Sequence, residues 1–503
     1  MYLCLTMATL GRSDCAEKAP AKTKLGDALE PILQRLRQLM QDFCDQPVCP
    51  PIAFELEPQI QGLLRELGRV SLEWAYHQIE PSEFDSLPQH VEFEGESYSR
   101  TNRKTPQEVA TLFGKIRWWR VGYRSTHKTG DPTLFPLVRQ LGIVASATPA
   151  VAERVAYYQA EAGATQRRTL ERLKQTHGVV WGVKKLRQVI DSVAKAMSVE
   201  RHEVQVEKVL QWMEQAWSSR GKNKPVLSIG RDGISFGTPV RGGTIFQVAS
   251  AGTVTVLDRR GDRLGTVYLA CTAESKQVTM SQQLTRLVEE VLRRWNRPLP
   301  RLCYVTDAGD NETTYFDTVL RRMKHPSTEK PLEWIRVLDY YHASERLWKM
   351  ADALFGSGPT AKAWTRRMQK WLKQPNGIRR VLNSASVFRS RLKLSTASRM
   401  EFNKAYDYLR VRTKYMQYAA YERVGIPLGS GVTEAACKTI YTQRLKLSGM
   451  RWKKAGSQTI LNLRVLQLSG VWIEAYQRTL NKIQMVNVPT HDVSDRQTSS
   501  TAA

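Results

Sequence analysis

Two aspartates in this chain stand where their side chains could hold a divalent cation. Asp232 lies at the end of the apolar run VLSIGRDG (226–233), and Asp307 ends RLCYVTD (301–307). Both runs have the β-branched and aromatic composition of strands. Carboxylate oxygens are hard ligands suited to Mg2+, which keeps several of its waters and so needs only a few of them. Two such ions about 4 Å apart activate an oxygen nucleophile and stabilise a leaving oxygen. That is the chemistry of phosphodiester hydrolysis and of attack by a 3′-hydroxyl. If the two strands are neighbours, the carboxylates stand side by side and the ion relieves their repulsion. Each residue alone has a plainer explanation: Asp-Gly after a strand is a common hairpin turn, and Asp307 in TDAGDN can cap the following helix.

The elements around them decide between these readings. Strands are expected at 226–233, 244–250 and 264–271, with an Asp-rich turn at 258–262 between the last two. A helix follows in which Leu284, Leu287, Val288, Val291, Leu292 and Trp295 repeat at three and four. Then come a strand at 301–307, a helix at 312–324, a strand at 334–339 and the helix YHASERLWKM. Hairpins first and helical crossovers later imply a mixed sheet, antiparallel at its start and parallel afterwards. The predicted fold class is α/β, with a ribonuclease-H-like core in two parts, 221–354 and 426–485, interrupted by an all-helical insertion at 355–425. In that order of strands the two aspartates are better explained together, as a metal site.

Charge points the same way. The 503 residues hold 75 Lys and Arg against 48 Asp and Glu, a formal net charge of +27. Such a surplus opposes compaction, and nucleic acid is the commonest partner that absorbs it. Positions 361–420 carry fifteen Lys and Arg, among them Arg366, Arg367, Arg379 and Arg380, but only Glu401 and Asp407 as acids. Trp364, Trp371, Phe388, Tyr406, Tyr415 and Tyr418 are interleaved with them. Cations with aromatics suit a DNA backbone and unstacked bases; equally, the aromatics can form the insertion's own core beneath a solvated basic face.

Upstream, 23–105 reads as a helical region and a polar linker. One helix starts at Leu25 and a second spans about 58–77, with the linker at 78–105. Residues 106–140 form a small β unit around GKIRWWRVGY, and 141–200 three helices broken near Gly163 and Gly178. The last of these carries Lys184, Lys185 and Arg187 opposite an apolar stripe, a pattern shared by a DNA-binding helix-turn-helix and by any small basic bundle. Residues 1–22 and 486–503 read as disordered. The seven scattered cysteines include no C-x2-C pair, which argues against a disulfide framework and a cysteine zinc site and for a reducing compartment. No apolar run approaches a membrane span. The expected setting is cytoplasmic, associated with the nucleoid.

Four segments, GRDG, YVTDAGDN, LDYYHASERLW and GIPLGSGVTEAACKTIYTQRLKLSGMRW, resemble those of the DDE transposases of bacterial insertion sequences. The likeness covers roughly 105–475 and is greatest to the Kra-type group, which is similar to the Lre-type and Mutator-like elements. It implies Asp232, Asp307 and Glu434 as the catalytic and metal-holding triad, with two Mg2+ ions for which Mn2+ can substitute. It matches Asp339 and His342 to the C/D-x2-H element after the second Asp. It also implies recognition of terminal inverted repeats in double-stranded DNA, cleavage, strand transfer, and a homodimer or higher oligomer on DNA. Relatives often carry cysteines in the small β region. This chain has none there, so packing or stacking by Trp118 and Trp119 must replace a zinc ribbon.

For Glu434 the residues themselves add an argument. PLGSG (427–431) allows a tight approach to the sheet, Ser430 to Thr433 offers a helix start, and Glu434, Lys438 and Tyr441 fall on successive turns of one face. Arg444, Lys446, Arg451 and Trp452 follow as candidates to line a DNA path. Glu345, beside His342, is the rival third ligand. His342 itself is open between a structural role beside Tyr341 and Trp348 and a place at the active-site edge. Two other functions share these features: a non-catalytic DNA-binding protein derived from a transposase, and a ribonuclease-H-like nuclease.

Overall fold

The computed structural model describes residues 23–47, 49–81, 86–127, 130–486 and 488. The disorder expected over 1–22, and over 486–503 apart from Val486 and Val488, falls outside these residues. The described chain forms two compact units. One comprises the described parts of Met1–Ala152 and Ile483–Ala503 with Leu170–Val189; the other is Glu153–Thr169 with Ile190–Lys482.

In the first unit, helices Leu25–Asp45 and Pro50–Ile79 pack as a pair joined by Arg35 and Glu66 at 2.8 Å. Pro50 starts the second helix, where its missing N–H costs nothing. Next to them lies an antiparallel sheet of β1 (His90–Phe93), β2 (Glu96–Thr111) and β3 (Gly114–Ser125). The polar segment expected as a linker therefore supplies β1 and most of β2. Its strands escape a hydrophobicity reading because β2 runs SYSRTNRKT, half-buried to exposed along its length, and its apolar contribution comes only at Val109 and Ala110. Trp118 is fully buried, edge-on to Tyr76 at 5.4 Å, and Trp119 is buried too, so both tryptophans pack. Val486 and Val488 are buried in a cluster with Val91 and Tyr123, which ties down the start of the tail.

The helices expected between Pro149 and Met197 form at Pro149–Ala160, Gln166–His177 and Val183–Ser218. Gly163 and Gly178, between them, hold positive φ, a conformation glycine adopts without strain.

The second unit is built on a five-stranded mixed sheet: β4 (Val226–Val240), β5 (Gly243–Leu257), β6 (Arg263–Cys271), β7 (Arg301–Thr306) and β8 (Trp334–Leu338). Its order is β6-β5-β4-β7-β8. The first three strands are antiparallel, and β7 and β8 run parallel to β4 and to each other. Alternate residues feed two cores, as the two-residue strand period requires. Leu227, Ile229, Leu302 and Tyr304 pack towards Leu284, Leu287, Val288 and Val291 of helix Val278–Arg294. Val226, Cys303, Val305 and Val337 pack towards Leu347, Met350 and Ala351 of helix Tyr340–Phe355.

That second core continues into the helices Pro359–Leu372, Gly377–Arg391, Thr396–Arg410 and Tyr418–Arg423. Trp364, Phe402 and Tyr418 are buried there, and Trp371, Phe388, Tyr406 and Tyr415 pack against it. The insertion's aromatics are thus core. Its cations, Arg366, Arg367, Arg379 and Arg380, are exposed.

Candidate metal centre

β4 and β7 pair in parallel through Val226↔Arg301 to Ile229↔Tyr304. Asp232 lies three residues beyond Ile229 and Asp307 three beyond Tyr304, so the register carries the two carboxylates to the same level. The structure corrects one detail: Asp232 does not end its strand. β4 runs on to Val240, with Asp232 paired to Ala251 of β5; it is β7 that stops, at Thr306. Beyond it Ala308 is left-handed, φ 58°, and Gly309 N–H donates to Asp307 Oδ1 at 3.0 Å. The turn is held from the insertion, where Tyr408 O–H donates to the Asp307 carbonyl and Arg412 Nη2 to the Ala308 carbonyl at 3.2 Å.

Glu434 arrives by a separate route. Helix Gly431–Cys437 lies on β4 and β5 with Thr433 Oγ1 2.8 Å from Thr253 Oγ1. A Cβ on Gly230 would overlap that hydroxyl, so a strand glycine permits this contact, while Gly429 of PLGSG permits the close approach to Tyr341 and Asp339. The segment before the helix is gripped by Asp339, which is fully buried. Its Oδ1 accepts from Tyr341 N–H at 2.6 Å and His342 N–H at 3.0 Å, capping helix Tyr340–Phe355. Its Oδ2 accepts from the backbone N–H of Ser430 and from Ser430 Oγ at 2.6 Å. Ser430 Oγ is also 3.0 Å from Glu434 Oε1, which lies 3.3 Å from His342 Nε2. His342 Nδ1 is 3.4 Å from Glu345 Oε2. The imidazole therefore stands between the two glutamates that compete for the role of third ligand.

Burial pushes the Asp232 carboxyl above its ordinary range, and the charges of Asp307 and Glu434 push it further. The Cys437 thiol and the Gly233 N–H, which is 2.7 Å away, partly offset this by donating to it. Glu312, in the first turn of helix Asp310–Thr318, shares the field. It is buried, and its carboxyl is raised by that burial and then by Asp307 and Asp232, with Arg231 opposing. Sequence reasoning passed over Glu312; its signal was an acid five residues after Asp307 in a helix whose start packs under the sheet. Arg231 is also buried, its guanidinium held by Gln277 Oε1 at 2.7 Å and Ser281 Oγ at 2.8 Å.

The donors match a hard cation in type, and their mutual repulsion is what a cation relieves. They are not drawn together, however. Among the described residues no group of three or more His, Cys, Asp or Glu side chains is gathered closely enough to hold a metal ion. Asp232 turns to Gly233, Asp307 to Gly309, and Glu434 to Ser430 and His342.

Downstream of Glu434 two expectations are overturned. The α-helix gives way to a π-turn, Lys438–Thr442, so a 3.6-residue projection from Glu434 no longer holds. Glu434 and Lys438 are exposed, but Tyr441 is fully buried, its hydroxyl donating to Ser250 O at 2.7 Å or Cys271 O at 2.9 Å. Arg444 is fully buried as well, donating to Gln159 O at 2.7 Å, and burial lowers its pKa to about 10. It cannot line a DNA path. Lys446 and Arg451 remain exposed. Trp452 is half-buried below the Arg444 guanidinium, with its N–H on Leu445 O. In the first unit Lys184 and Arg187 are exposed, while Lys185 is half-buried with its ammonium pKa lowered by that burial.

No protein-family model matches the chain, and no curated protein matches it.

Proposed function

We propose that this protein is a DNA transposase that binds the terminal inverted repeats of an insertion sequence and cuts and joins DNA through a DDE site. One observation carries the reading: the β4–β7 register levels Asp232 with Asp307, while Thr433 seats the helix bearing Glu434 on β5 and the neighbouring β4. The sheet order, with hairpins on one side of β4 and crossovers on the other, supports a ribonuclease-H-like core. The sequence resemblance supplies the reaction class.

In this reading Asp232, Asp307 and Glu434 would hold two Mg2+ ions, whose chemistry would be activation of an oxygen nucleophile and stabilisation of a leaving oxygen. Asp339 and Ser430 hold the Glu434 segment, and His342 orients its carboxylate. Lys438, Lys446 and Arg451 take phosphates beside the site, and Arg366, Arg367, Arg379 and Arg380 do so on the insertion. Lys184, Lys185 and Arg187 belong to the segment assigned to the repeats. The deciding experiment assays the purified chain on duplexes carrying the element's ends. Nicking and strand transfer that require Mg2+ or Mn2+ are expected, with both lost in Asp307→Asn. DNA binding without any cleavage by the wild type would favour the non-catalytic descendant instead, and cleavage confined to RNA–DNA hybrids the nuclease.

A further inference from the structure

β4 and β5 outrun the sheet they belong to. β7 pairs with β4 only as far as Ile229, and β6 pairs with β5 only from Ser250 onward. Beyond Ile234↔Ala249 the two strands therefore have only each other as ladder partners, turning at Gly242, φ 90°. Every residue from Arg241 to Val248 is exposed, including Ile245 at 50%, Phe246 at 72% and Val248 at 46%. Two-stranded ribbons are marginal in water, and open apolar edges are normally blunted or covered.

The two edges differ. That of β4 is blunted: Pro239 has no N–H to offer, and Lys446 Nζ already donates to Ser235 O at 3.0 Å. That of β5, Gly243–Val248, carries neither proline nor charge. Between Gly233 and Leu257 the only charged residue is Arg241. The β5 edge carries no cation to hold phosphates, which argues against nucleic acid as its occupant. In a chain of charge +27, copies repel one another over most of their surface, and an almost neutral segment is where that repulsion is least. An uncharged strand edge is also self-complementary when it pairs antiparallel about a two-fold axis.

We propose that the β5 edge, Gly243–Val248, is a self-association surface on which a second copy of this chain adds its own β5, burying Ile245, Phe246 and Val248. The proposal does not depend on the DNA reading and is tested without DNA. The full chain is sedimented over a concentration series in salt high enough to screen its charge, and hydrogen exchange of 243–248 is followed at both ends of the series. The expected result is a mass that doubles with concentration, with those amides of the segment that do not bond to β4 protected only in the dimer. Ile245→Asp/Phe246→Asp should stay monomeric with an unchanged circular dichroism spectrum. A wild type monomeric throughout, a variant that still dimerises, or protection that ignores dilution would each overturn it. So would dimerisation that appears only when duplex DNA is added. The exchange measurement uses wild-type protein alone, so a misfolded variant leaves the test intact.

Discussion

The hydroxyl of Thr433 lies 2.8 Å from that of Thr253, in space that a Cβ on Gly230 would occupy. Glu434 and Asp232 sit one and two residues from this contact, so a glycine on β4 sets how closely the two carboxylates can approach. Gly230→Ala should cost about 1–3 kcal/mol by overpacking, and Gly230→Ala/Thr433→Ala should recover part of it. Denaturant melts of the two singles and the double measure the coupling. Strictly additive losses would mean that the contact is incidental.

Asp232→Asn and Asp307→Asn should each abolish metal-dependent nicking. In metal-free buffer Asp232→Asn should melt at the same temperature or higher. The sign follows from the raised carboxyl of Asp232. A group whose folded pKa lies above its unfolded one contributes stability below the unfolded value and loses it as pH rises through the folded value. The wild type should therefore lose stability as pH climbs out of the ordinary carboxylate range, and Asp232→Asn should show less of that slope. Equal slopes in parallel thermal melts would contradict the assignment of the shift to Asp232.

Glu434→Gln and Glu345→Gln separate the two glutamates that flank His342. On assembled element-end DNA both should bind. Glu434→Gln should lose cleavage and strand transfer, and Glu345→Gln should keep at least part of each. Normal strand transfer by Glu434→Gln would move the third ligand to Glu345.

Ser430→Ala removes the hydroxyl shared by Asp339 and Glu434. The expected stability loss is about 1–3 kcal/mol, because Asp339 is left buried with one donor fewer. Cleavage should fall more than DNA binding does. A variant that melts lower but cuts at the wild-type rate would make Asp339 a purely architectural cap.

Arginines on the insertion and in the core should behave oppositely. Neutralising Arg366, Arg367, Arg379 and Arg380 together should weaken DNA binding across sequences and flatten its dependence on salt, with little change in melting. Arg444→Ala should instead destabilise the fold, since it removes a buried donor of Gln159, and leave the salt slope as it was. Binding titrations against salt, beside thermal melts, distinguish the two.

Much of the second unit was legible in the chain. Apolar runs between turn residues marked the five strands, and the three-four repeat marked helix Val278–Arg294, because both patterns are imposed locally by burial. That Asp232 and Asp307 stand side by side was conditional on their strands being neighbours; the parallel β4–β7 register, with equal offsets from Ile229↔Tyr304, sets their levels. Polarity concealed most of β2, whose pairing there rests on backbone bonds, and β1 is only four residues long although Val91 and Phe93 are buried. The break into a π-turn after Cys437 was equally hidden: Tyr441, seven residues on, falls on the Glu434 face by an α-helical count yet is buried, and Arg444 beyond the turn is buried too. Tertiary packing alone decided that Gly230 makes room for Thr433, that buried Asp339 grips Ser430, and that Glu312 joins the field around Asp307. Each of these joins residues tens to hundreds of positions apart or turns on desolvation. Sequence spacing carries no information about either until the chain has folded.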